Sequence, residues 1–334
     1  MAYSETEAKR LVIEAGHRLV AAGLIARTWG NISARISDTQ FVITPSGKAY
    51  DILTPDDIVT VNIADCSYDG NIKPSSEKGI HAESYKYRPD VNFVIHTHQL
   101  YATAYGTLGR ELPTAETLLG GTVPCAEYGI SSTKPLKKRV SACIQSHLRS
   151  NAFFMRYHGV LCLGSDVDNA FDIALRLEEL CEKEVMGKLG KLPCGEDIVL
   201  PKDFTDSIAE NKAVFVSTPA VFACAKRWRK LYPMIDDMAQ IAGTDFASVR
   251  LSGGFCEKAS KAIKGRNVVF VLGKGAVCTG ADADECGAVA SVLEKNCLAK
   301  LFAEASGVHH KLGYFDALLQ RTIYVMKYSK MKNG

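Results

Sequence analysis

A layered α/β or α+β fold in two domains is what this sequence predicts, on three observations. Segments with helical apolar spacing alternate along the chain with short β-type apolar runs. The 334 residues exceed one ordinary domain. Periodicity lapses over residues 192–210, a stretch carrying Pro193, Gly195 and Pro201, and then returns. The expected division is a first domain over 1–192 and a second over 202–334.

The elements follow in order. Residues 6–23 form a helix: Leu11, Val12, Ala15, Leu19 and Val20 make one stripe, and Gly23 suits its left-handed end. After the turn Thr28-Trp29-Gly30-Asn31, residues 32–36 and 40–43 read as two strands joined near Asp38. Thr44-Pro45-Ser46-Gly47 is a tight turn, and 58–62 a third strand. Ser75 and Ser76 precede Glu77 and a helix reaching about Arg88, where Pro89 stops it. Residues 93–98 read as a buried strand entering a helix near Leu100. A further strand, 151–155, ends at Arg156-Tyr157-His158-Gly159. Residues 168–188 form a long amphipathic helix with Ala170, Ile173, Ala174, Leu177, Leu180 and Cys181 on one face.

The second half repeats the first. Residues 151–185 and 267–301 align without a gap, matching Asn151 with Asn267, Phe154 with Phe270, Gly159 with Gly275 and Gly164 with Gly280. Residues 93–98 fall on 213–219. Strand–turn–helix order kept at two places predicts a duplicated fold. On this alignment Ser217, Pro219 and Lys274 replace His96, His98 and His158, so the second copy is degenerate.

Composition narrows the function. A net charge of +3 gives no support for nucleic acid as the main partner, and leaves room for a local anion pocket. No apolar run nears the ~18 residues that span a bilayer, and residues 1–12 lack an apolar signal core. No membrane partner and a cytoplasmic location are expected. The eleven cysteines are odd in number and hold no CxxC pair, which fits free thiols in a reducing compartment better than disulfides or a cysteine metal site.

Chemistry gathers at the histidines. In a strand, residues i and i+2 share a face, so His96 and His98 reach one ion. His158 ends another strand before a glycine, where its ring can turn inward. Three imidazoles and the Glu77 carboxylate suit Zn2+, with Mn2+ or Co2+ as substitutes, better than all-oxygen Mg2+ or Ca2+ shells. An isolated HxH is as readily a packed pair; the repeat favours ligation, since it keeps the strand and drops all three histidines. Pro74-Ser75-Ser76-Glu77 at a helix entrance suits an anion, although alone it reads as a plain cap. His81, one helical turn past Glu77, reads first as a packed residue and second as a support for Glu77.

Together, Gly30-Asn31-Ile32-Ser33, Thr44-Pro45-Ser46-Gly47, Pro74-Ser75-Ser76-Glu77, His96-Thr97-His98 and His158-Gly159 resemble the class II aldolase/adducin family. Their order and spacing are most similar to its L-fuculose-1-phosphate aldolase branch, over about residues 5–190. The resemblance implies a three-layer α/β/α domain with a mainly antiparallel sheet, followed here by the degenerate copy. It implies a homo-oligomer, dimer or tetramer. It implies zinc on His96, His98 and His158, with Glu77 as resting ligand and working base. Thr28, Asn31, Ser46, Gly47, Ser75 and Ser76 would line a substrate phosphate pocket, and Tyr128 would donate a proton. The implied reaction is retro-aldol cleavage or aldol addition of a sugar phosphate, giving dihydroxyacetone phosphate and an aldehyde. A 4-epimerase, dehydratase or decarboxylase on the same zinc enolate, and a non-enzymatic adducin-like binding protein, are the alternatives.

Overall fold

The computed structural model describes residues 2–25, 29–196, 198–207 and 212–327. The chain divides into two units, Met1–Lys183 and Glu184–Gly334. The first opens with α1 (Glu5–Ala21), β1 (Asn31–Arg35), β2 (Gln40–Ile43) and β3 (Val59–Asn62). Next come α2 (Lys78–Tyr87), β4 (Phe93–Thr97), α3 (Leu100–Gly106), β5 (Leu112–Pro113), β6 (Thr122–Val123) and β7 (Cys125–Ala126). It closes with α4 (Lys134–Ser146), β8 (Ala152–Met155), β9 (Gly159–Gly164) and α5 (Val167–Leu189).

The fold is α/β, with a mainly antiparallel sheet. Seven strands run in the order β3-β2-β1-β4-β9-β8-β7, and only β7–β8 is parallel. One face packs Phe41, Ile43, Val94, Phe153 and Leu161 against Ile80 and Tyr85 of α2 and Leu136, Val140 and Ile144 of α4. His96 lies two residues beyond Val94, on that same face. Helix α1 starts one residue earlier than its spacing predicts, because the Ser4 hydroxyl caps it by accepting from the Glu7 amide. Strand β9 has no counterpart among the predicted elements. It is buried throughout, so its apolar run carries no alternation to mark it.

The second unit contains α6 (Lys202–Ser207), β10 (Ala213–Val216), α7 (Pro219–Arg227), β11 (Lys230–Leu231), α8 (Asp236–Ala242) and β12 (Phe246–Val249). It ends with α9 (Phe255–Ile263), β13 (Val268–Val271), β14 (Gly275–Thr279), α10 (Ala283–Ala305) and α11 (Tyr314–Lys327). Its sheet runs β10-β14-β13-β12-β11. The pairs β10–β14 and β13–β14 are antiparallel and β12–β13 is parallel, as are β4–β9, β8–β9 and β7–β8 respectively.

Register corrects one sequence alignment. A Cβ added to Gly159 would meet the Thr97 carbonyl at 2.4 Å and the His96 ring; one added to Gly275 would meet the Val216 carbonyl at 2.3 Å and the Phe215 ring. Phe215 and Ser217 therefore stand in the places of His96 and His98, rather than Ser217 and Pro219. The apolar run 213–216 carries nothing that sets its own register; pairing with β14 does.

Candidate metal centre and anion pocket

The end of β4 and the turn into β9 bring three imidazoles together. His96, His98 and His158 each offer a ligand atom, all within 4.8 Å of one another. Their ring centroids lie 4.7 to 5.1 Å apart. His96 Nδ1 donates to the Val160 carbonyl at 2.7 Å, which turns its Nε2 lone pair inward, 2.9 Å from His98 Nε2. His158 is delivered by a tight turn in which Tyr157 takes φ 62°, a left-handed conformation rarely adopted by a bulky residue. The glycine that follows keeps the two strands close: a Cβ on Gly159 would meet the Thr97 carbonyl at 2.4 Å and crowd the His96 and His98 rings. Gly30, at φ +85°, likewise lets its own backbone lie against the strand, since a Cβ there would sit 2.5 Å from the His96 carbonyl.

Glu77 closes the cluster. Its carboxylate oxygens lie 3.0 Å from His158 Nε2 and 3.2 Å from His96 Nε2. Ligand atoms on a tetrahedral ion with bonds of ~2.0–2.1 Å lie about 3.3 Å apart, so the spacings around Glu77 match a shared coordination shell. The donor set fits a divalent ion of zinc type, which His96, His98, His158 and Glu77 would hold. Burial pushes the Glu77 carboxyl up, but His158 and His96, by charge and hydrogen bond, outweigh this and hold it well below the usual range. It is a carboxylate.

Two turns meet beside Glu77. The Ser46 amide donates to the Lys73 carbonyl at 2.9 Å and the Ser75 amide to the Thr44 carbonyl at 3.0 Å, zipping 44–47 to 73–76. The Glu77 amide donates to Ser75 Oγ, and Ser76 Oγ hydrogen-bonds Ser132 Oγ at 2.7 Å. Thr44 Oγ1 accepts from the Ile32 amide, tying in β1. Ser46, Gly47, Ser75 and Ser76 thus occupy one zipped pair of turns, next to Asn31, whose Nδ2 donates to Glu77 Oε2 at 3.2 Å. Small hydroxyls beside a helix entrance are chemically suited to an anion.

The sequence-predicted residues divide as follows. Glu77, His96, His98 and His158 converge, and Asn31 joins them through Glu77. Tyr128 lies one segment away, its ring edge-on to Tyr157 at 5.6 Å, four residues before the Ser132 amide that donates to Glu77 Oε1 at 3.4 Å. Thr28 lies outside the described residues. Two residues went unmarked, Ser132 and Tyr85, and Ser33 was named only within the 30–33 motif and given no role. Ser33 Oγ hydrogen-bonds His81 Nδ1 at 2.6 Å and Tyr85 Oη at 2.7 Å. Their signal was the polar alternation Asn31, Ser33, Arg35 in a buried strand, facing Glu77, His81 and Tyr85 at every fourth helical position.

Comparison with known proteins bears on this arrangement. Residues 10–185 match the profile of the Class II Aldolase and Adducin N-terminal domain. The chain is 31% identical to the 5-deoxy-D-ribulose 1-phosphate aldolase of Bacillus thuringiensis serovar kurstaki over 204 residues, 60% of this chain and 92% of that protein. It is 30% identical to the L-fuculose phosphate aldolase of Escherichia coli K12 over 177 residues, 52% of this chain and 80% of that protein. Among solved structures it resembles an L-fuculose 1-phosphate aldolase, with a TM-score of 0.52 at 29% identity, covering 62% of this chain and 95% of that one.

Proposed function

The chain belongs to the class II aldolase and adducin family, whose curated relatives here are aldolases, carbon–carbon lyases, and from that premise we propose a zinc-dependent sugar-phosphate aldolase. The reaction is retro-aldol cleavage or aldol addition that releases or consumes dihydroxyacetone phosphate. One observation carries it: three imidazoles offer ligand atoms within 4.8 Å of one another, and the Glu77 carboxylate lies 3.0 and 3.2 Å from two of them. A divalent ion bound there supplies Lewis-acid polarisation of a carbonyl. Glu77, buried and ionised, accepts a proton from the substrate carbon and returns it. Asn31, Ser46, Gly47, Ser75 and Ser76 bind the phosphate, which orients the reacting end. Thr28 is assigned to the same pocket. Tyr128 exchanges a proton with the aldehyde oxygen. Eleven free thiols support a reducing, cytoplasmic setting, and among the described residues no helix is long and apolar enough to cross a membrane.

The test combines elemental analysis with a panel of ketose 1-phosphates and a coupled reductase that detects triose phosphate. A metal-loaded protein releasing triose phosphate from none of them refutes the aldolase reading.

We propose too that the second domain, 202–334, is a truncated, degenerate copy. Its support is the matching strand pairings and one repeated cap. Glu178 accepts from the Tyr101 and Ala102 amides at the start of α3, as Glu294 does from Ala220 and Val221 at the start of α7. Phe215, Ser217 and Lys274 leave that copy without a metal site, so one ion per chain is the expected stoichiometry; two would refute it. A homo-oligomer, dimer or tetramer, is supported by α11, which exposes Tyr314, Phe315, Leu318 and Met326. Light scattering that returned a lone monomer would remove it.

A further inference from the structure

Behind the metal cluster runs a buried polar ladder. Strand β1 turns Asn31, Ser33 and Arg35 toward α2, and the helix answers with Glu77, His81 and Tyr85. His81 is fully buried, as is Ser33. A wholly buried run of polar groups is costly unless each is satisfied. Here the partners are specific: His81 Nε2 meets Asn31 Oδ1 at 2.5 Å, and His81 Nδ1 meets Ser33 Oγ at 2.6 Å. The Arg35 guanidinium holds the far end, donating to the Tyr85 carbonyl at 2.8 Å and lying 4.8 Å from the Tyr85 ring.

Proton bookkeeping gives this ladder a single direction. The Glu77 carboxylate only accepts, so it is the Asn31 amide nitrogen that faces it. Asn31 Oδ1 therefore faces His81 and requires a donor, which makes His81 the Nε2–H tautomer. Its Nδ1 must then accept from the Ser33 hydroxyl, and Ser33 Oγ in turn accepts from Tyr85 Oη. Burial pushes the His81 imidazole down to about 3, so the neutral ring is the working form.

We propose that His81 is a positioning residue for the site: by donating to Asn31 it locks that amide with its NH2 toward Glu77, and so holds the Glu77 carboxylate against His96 and His158. The proposal rests on the reading of Glu77 as ligand and base. Without the His81 donor the Asn31 amide is oriented by Glu77 alone, and its buried Oδ1 loses the hydrogen bond that anchors the side chain.

The experiment uses the full-length protein and begins with the wild type. Selective 15N-histidine spectra should show His81 as the neutral Nε2–H tautomer; an Nδ1–H ring overturns the proposal. Two variants follow. His81→Gln keeps one donor and one acceptor, while His81→Leu keeps neither at comparable volume. Chelator competition should show zinc held about 10- to 100-fold more weakly by the leucine variant, and within a few-fold of wild type by the glutamine variant. A residue that merely fills space would rank them the other way, and wild-type affinity in His81→Leu overturns the proposal. If the leucine variant fails to fold, the tautomer and the glutamine variant decide. Glu77→Gln with full turnover would remove the base reading alone, since tautomer and metal affinity are read without turnover.

Discussion

Replacing Gly159 by alanine tests whether the imidazole cluster depends on strand spacing. The new methyl would lie 2.4 Å from the Thr97 carbonyl oxygen, 3.0 Å from His96 Cε1 and 3.3 Å from His98 Cδ2. An ordinary carbon–oxygen contact is nearer ~3.3 Å, so β9 and β4 must separate by several tenths of an ångström to about 1 Å, at about 1–3 kcal/mol. The separation falls where Thr97 pairs with Val160, between His96 of β4 and His98 just beyond its end. Metal sites tolerate displacements of roughly 0.2 Å, so zinc affinity should drop by about tenfold or more. Gly275→Ala supplies the control, because its methyl would meet Val216 and Phe215 at 2.3 and 2.8 Å in a sheet that carries no imidazoles. Urea denaturation in chelator should show comparable losses for both variants. Zinc titration should show weakening only for Gly159→Ala. Equal zinc affinity in Gly159→Ala and wild type would refute the reasoning, as would an equal loss in both variants.

Three further outcomes are expected. Glu77→Gln should fold and bind inorganic phosphate while kcat falls about 10²- to 10⁴-fold; undiminished turnover, measured by triose phosphate release, takes Glu77 out of the mechanism. Tyr128→Phe should lower kcat about 10²-fold with little change in KM; a change confined to KM would reduce Tyr128 to substrate contact. Asp245 is raised by burial but, more strongly, lowered by Lys230 and Arg266, so its folded pKa lies below its unfolded one. A depressed carboxyl stabilises fully above the ordinary range and loses that contribution as pH falls through the folded value. Wild type should therefore exceed Asp245→Asn by about 1 kcal/mol or less at pH 6, and the gap should close below about pH 4. A gap that widens on acidification would contradict the sign.

Much of the first unit was legible before its coordinates. Helix α1 and the long α5 announce themselves by spacing, and His96-Thr97-His98 by period two. Strand β9 was hidden because both its faces are buried. The register of β10 was hidden because a run of similar apolar residues slides without penalty until a partner strand pins it. His81 could be weighed only as packing or support. The structure gives it both duties, since a side chain fully enclosed by protein also carries two directional hydrogen bonds.

The sequence by itself determined the chemical groups on offer: which imidazoles, which carboxylate and which small hydroxyls exist, and which share a face with a neighbour two or four residues away. Such facts depend on residue type and local geometry alone. Only the tertiary structure decided that His158 meets Glu77, that two serine-bearing turns zip together, and that one face of Asn31 is committed to His81. Those contacts join segments tens of residues apart, and no local periodicity encodes the distance between them.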